Sequence, residues 1–109
     1  MKPVPPSTEA MWHAFAVGTS LGQQGSEHGT IIQDEEHRDG ARITLERDGH
    51  IAPFSITCGI YGLFVHTAFA SDESEARRKY AEMKDHIDAI VRSEQHEVSA
   101  QLQAFCDVF

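Results

Sequence analysis

Ile51 to Ala70 reads IAPFSITCGIYGLFVHTAFA, and how this stretch folds back on itself decides the fold. Two runs rich in apolar and β-branched residues, IAPFSITC and LFVHTAF, flank the segment Gly59 to Gly62. That pattern predicts two antiparallel strands joined by a tight turn. Because side chains alternate faces along a strand, the turn length sets which residues share a face. A two-residue turn at Ile60-Tyr61 places Cys58 opposite Leu63, Ile56 opposite Val65 and Phe54 opposite Thr67. Moving the turn to Gly59-Ile60 keeps that parity, whereas a three-residue turn sends Phe64 and His66 inward. The two-residue form is the expectation, because it agrees with the hairpin before it.

That preceding hairpin turns at Asp48-Gly49, and Asp39-Gly40 marks another before it. Asp-Gly suits hairpin turns because the central positions need positive φ. A two-residue turn at Asp48-Gly49 aligns Leu45 with Ala52, Ile43 with Phe54 and Ala41 with Ile56. Ile43, Leu45, Phe54, Ile56, Leu63 and Val65 then line one apolar face of a four-stranded antiparallel meander. Register in the first strand stays open. A two-residue turn at Asp39-Gly40 puts His37 beside Arg42, and a three-residue turn through Arg38 puts Glu36 there. In either case some of Asp34, Glu35 and Glu36 share the face of Ile43 and Leu45, where a carboxylate must lie at an edge or find a partner.

Working outward, Met1 to Pro6 holds three prolines and predicts a mobile, extended lead-in. Ser7 or Thr8 then starts an N-terminal helix on Met11, Trp12, Phe15 and Ala16, with Gly18 ending it. Ser71 to Phe109 contains no Gly or Pro. Ser71 or Asp72 caps a long helix whose apolar stripe is Ala76, Tyr80, Met83, Ile87, Ile90 and Val91, with Arg77, Lys84, Asp88 and Arg92 on other faces. The stripe continues through Val98, Leu102 and Phe105. One straight helix would run roughly 50 Å against about 27 Å for an eight-residue strand. A break between residues 93 and 97 is therefore expected. The chain reads as one α+β domain over residues 1–109, with both helices on one sheet face.

Composition narrows function by exclusion. A 109-residue chain with 40% hydrophobic and 24% charged residues is long enough to bury a core. Its net charge of −8 repels a phosphate backbone, so nucleic acid is not an expected partner. No signal-like or membrane-spanning run occurs, and Cys58 and Cys106 lack a CxxC spacing, so the reading is a cytoplasmic protein with reduced thiols, away from membranes. The seven histidines form no HxxxH or HxH pair, and no cofactor motif or GxSxG elbow is present.

The polar face opposite the core carries the candidate ligand site: Arg42 beside Ser55, Ser55 beside His66, and Glu36 or His37 completing the row. This row suits an anionic or polar ligand. A metal site at Asp34 to His37 is limited by geometry, since adjacent strand residues point to opposite faces. Ile60 and Tyr61 at a hairpin tip, Phe64 on the open face, and Leu102 and Phe105 on the surplus helix instead suggest an interface. The favoured expectation is a non-enzymatic interaction protein acting as a homodimer, and the alternative is a small-ligand or metal-binding protein.

Overall fold

The computed structural model describes residues 8–93 and 97–109, so the proline-rich lead-in and a cap at Ser7 lie outside the described residues. The architecture is α+β. Five strands, β1 (Trp12–Ala14), β2 (Thr30–His37), β3 (Ala41–Arg47), β4 (Phe54–Ile60) and β5 (Phe64–Ala70), are followed by α1 (Glu73–Val91) and α2 (Val98–Val108). The strands form one antiparallel sheet in sequence order. Ile43, Leu45, Ile56 and Cys58 pack on one face against Met83, Ile87 and Phe105 from the helices.

The N-terminal helix is not formed. Two 3-10 turns, Thr8–Met11 and Phe15–Gly18, bracket the short strand β1. Ala16, Val17 and Gly18 have φ of 50°, 56° and 84°, a left-handed conformation that no right-handed helix contains. The alanines favour helix locally, but β1 pairs with Glu35 to His37, and the chain must then reverse sharply.

Turn lengths explain the register differences. The β2–β3 turn uses three residues, with Glu36 opposite Arg42 and Gly40 at φ 98°, so the Arg38 alternative is the one adopted. Between β3 and β4 the turn is not two residues but a six-residue loop, giving Ile43↔Cys58 and Leu45↔Ile56. Asp48 N–H donates to the Pro53 carbonyl at its neck. The shift from the expected pairing is even, so the apolar faces still coincide.

The β4–β5 turn departs by an odd number. Ile60 pairs with Phe64, Cys58 with His66 and Ile56 with Ala68. Leu63 N–H closes the turn onto the Ile60 carbonyl, and Gly62 supplies φ 75°, a value that favours glycine. Phe64 and His66 therefore face the helices, while Leu63 and Val65 are exposed rather than in the core. Apolar residues occur on both parities of this strand, so alternation could not choose between them. Phe105 of α2 does: its ring packs edge-on against both Phe64 and His66, with centroids 5.5 Å away in each case.

The C-terminal segment divides into α1, which ends at Val91, and α2, which begins at Val98; residues 94–96 of the expected break lie outside the described residues. Asp72 caps α1 by accepting from Glu75 N–H at 2.8 Å, and Glu75 reaches back to the Ser71 hydroxyl at 3.0 Å. The α1 stripe is buried as expected, with Val91 half-buried at its end. Lys84 and Asp88, however, lie on the buried side, not on other faces. They meet β2. Lys84 Nζ donates to Glu35 at 2.9 Å, Tyr80 donates to the same carboxylate at 2.8 Å, and Asp88 meets His37 at 2.7 Å. Residues four apart on a helix rise about 6 Å and residues two apart on a strand about 6.6 Å, so the two pairs fall into step. These contacts supply the partners that acids on the core face require.

Candidate functional site

The second sheet face begins from the alternation of β3, which turns Arg42, Thr44 and Glu46 away from the helices. Residues 15–29 fold over part of this face, and buried carboxylates hold them there. Asp34 has no exposed side-chain surface. Its Oδ2 accepts from the Ser20 hydroxyl at 2.8 Å and Arg42 Nη2 at 2.7 Å, and its Oδ1 accepts from Arg42 Nε and the Thr44 hydroxyl, each at 3.0 Å. The Asp34 hydrogen bonds raise the Arg42 pKa above its ordinary value. The Phe15 ring lies over the guanidinium at 3.5 Å, a cation–π contact.

Glu46, 1% exposed, does the same for the next turn. It accepts from Gly29 N–H at 3.0 Å and Glu27 N–H at 3.2 Å. A Cβ on Gly25 would overlap this carboxylate, so glycine lets the loop come down onto it. Across the sheet, Glu36 accepts from the Tyr61 hydroxyl at 2.6 Å and meets His13 at 3.2 Å. Both bonds hold its pKa below the usual carboxylate value. Desolvation, and then the bond to Glu36, push the Tyr61 phenol up to about 12.

The expected polar row is not assembled. Arg42 and Glu36 are cross-strand neighbours on this face, but Arg42 faces Gly59 in β4, not Ser55. Ser55 lies opposite Glu46 and Phe69 and is buried. His66 and His37 are on the helix face. The His37 ring accepts Asp39 N–H at Nδ1 (3.0 Å) and therefore donates from Nε2 to Asp88. Among the interface candidates, Tyr61 is exposed, Leu102 and Phe64 are half-buried against the core, and Ile60 and Phe105 belong to it.

Beside the covered part of the face lies a cleft of about 580 Å³. Gly25 and Ser26 form one wall, Thr44 and Thr57 lie along the sheet, and Tyr61, Leu63 and Val65 form the apolar side. Leu63 and Val65 are 55% and 76% exposed, enough to make a continuous apolar strip with Tyr61. Sequence reasoning missed Leu63 and Val65 because it placed them in the core. It missed Asp34 and Glu46 as anchors because nothing local shows that a distant loop descends on them.

The thiols differ. Cys58 is buried in the core, and burial pushes its pKa up to about 12, so it is a poor nucleophile. Cys106 is exposed, with its sulfur 3.9 Å from His66 Nδ1. Among the described residues, no group of three or more His, Cys, Asp or Glu is placed to hold a metal ion, and no helix is long and apolar enough to cross a membrane. Compared with models of protein families, with curated proteins and with solved structures, the chain matches none.

Proposed function

We propose that the chain is a non-enzymatic interaction protein that acts as a homodimer. The observation that carries this reading is the apolar strip of Tyr61, Leu63 and Val65, exposed on a face whose charged groups are engaged within the chain. Arg42 is tied to Asp34, and Glu46 to backbone N–H groups, so neither resembles a catalytic group awaiting a substrate. Exposed contiguous apolar surface is instead the mark of association. Sedimentation at micromolar concentration tests the reading: the expected species has twice the 12.1 kDa chain mass, and a monomer throughout that range overturns it.

A second reading, small-ligand binding, is supported by the cleft itself. Its volume of about 580 Å³ falls within the span of small-molecule pockets, about 300–1,000 Å³. The row of Arg42, Ser55 and His66 does not support it, since these residues do not converge. An apolar ligand seated on Val65 and Leu63 would raise the melting temperature, and a thermal-shift screen of apolar metabolites separates the two readings.

A further inference from the structure

The two edges of the sheet are built differently. On the β1 side the terminal strand has three residues, and the part of β2 beyond it carries Asp34, paired with Arg42, and is met at Thr30 and Ile31 by the backbone of residues 22–24. On the other side β5 is seven residues, FVHTAFA. It has no Lys, Arg, Asp, Glu or Pro, the devices that blunt an exposed edge. Phe69 C=O accepts from Lys79 Nζ at 2.7 Å, so it points away from β4. Backbone groups alternate direction along an antiparallel strand, and the outward set is therefore Val65, Thr67 and Phe69.

Resting on the homodimer reading, we infer that a second copy of this chain docks on β5, strand to strand and antiparallel, about a two-fold axis at Thr67. The strand is self-complementary about that residue. Thr67 meets its own counterpart, and Val65 meets Phe69 of the other copy on the cleft face. On the helix face His66 meets Ala68, and Phe64 meets Ala70. Val65 is 76% exposed and Phe69 38%, so this register covers the two large apolar side chains of β5 that face water in a monomer. β5 itself carries no charged residue, so the cross-strand contacts are uncharged; beside the axis, each copy's Glu27 carboxylate accepts from its own Thr67 hydroxyl at 3.3 Å. The Phe69 carbonyl has a second lone pair, so it accepts from the partner strand while keeping Lys79. The two sheets then become one ten-stranded sheet with the apolar clefts adjoining across the axis, an isologous contact that closes on itself.

Single cysteines in a Cys106→Ser background test the register, with the wild type examined alongside by sedimentation. Paired residues at the axis are about 5.5 Å apart between Cα atoms, within disulfide reach. Val65 lies roughly 13 Å from its own counterpart, four residues at about 3.3 Å each, beyond reach. Thr67→Cys is expected to give a disulfide-linked dimer under mild oxidation, and Val65→Cys is not. Val65→Lys, a change at an exposed position, is expected to weaken dimerisation at least tenfold with the circular dichroism spectrum unchanged. A wild-type dimer in which Thr67→Cys fails to cross-link, or cross-links no better than Val65→Cys, overturns the β5 pairing but leaves the homodimer standing. So does a Val65→Lys dimer of undiminished affinity. A monomeric wild type overturns both.

Discussion

The two faces of the sheet are closed by opposite means. On the helix face, Ile43, Leu45, Ile56, Met83, Ile87 and Phe105 exclude water by apolar packing, and the buried polar side chains of α1 and β2 come in facing pairs. On the other face, among the described residues, no α-helix packs, and chain from residues 15–29 is held by carboxylates, Asp34 through Arg42, Ser20 and Thr44, and Glu46 through backbone N–H groups. A loop has no regular apolar stripe to bury, and its N–H groups need acceptors wherever they are covered. Acids on the sheet meet that need. Where the loop ends its cover, the face is apolar and open, and the proposed interface begins.

Three substitutions bear on this contrast, beginning with the largest effect. Phe105→Ala removes the ring that seats α2 on Phe64 and His66 and should cost about 4 kcal/mol, as for other buried aromatic truncations. Denaturant unfolding measures this, and a cost below about 1 kcal/mol would mean that α2 contributes little to the helix face. Asp34→Ala strands the Arg42 charge and two hydroxyls. A loss of about 3 kcal/mol is expected, at the low end for a broken buried pair because Arg42 is partly solvated. A near-neutral Asp34→Ala would break the comparison, since the loop face would then not depend on its carboxylates. Glu46→Gln keeps the shape but replaces one acceptor oxygen with a donor facing backbone N–H groups. Its expected cost is about 1–2 kcal/mol, together with faster proteolytic nicking between residues 19 and 29. Unchanged nicking would show that Glu46 does not hold that turn.

Legibility from sequence followed the same division. The meander, the α1 stripe, the Asp72 cap and the break before Val98 were readable because each rests on local periodicity, turn chemistry or length. The even shift at the Asp48 loop left face assignments intact. The odd turn at Tyr61 to Leu63 did not, and it moved His66 out of the candidate site and Val65 into one. Lys84 and Asp88 were misplaced because a helical stripe read alone counts them as polar, while their partners Glu35 and His37 lie about fifty residues earlier, as their hydrogen bonds show.

By itself, then, the sequence determined an α+β domain with an antiparallel meander and helices on one face, since period and propensity act within a few residues. Tertiary structure alone decided how Ile51 to Ala70 divides between core and surface. Phe64 and Val65 are adjacent and both apolar, so their alternation carries no preference. The choice went to the parity that lets Phe105 cover Phe64 and His66. The free energy of that contact belongs to residues some forty positions apart, as the Cys106–His66 separation also records.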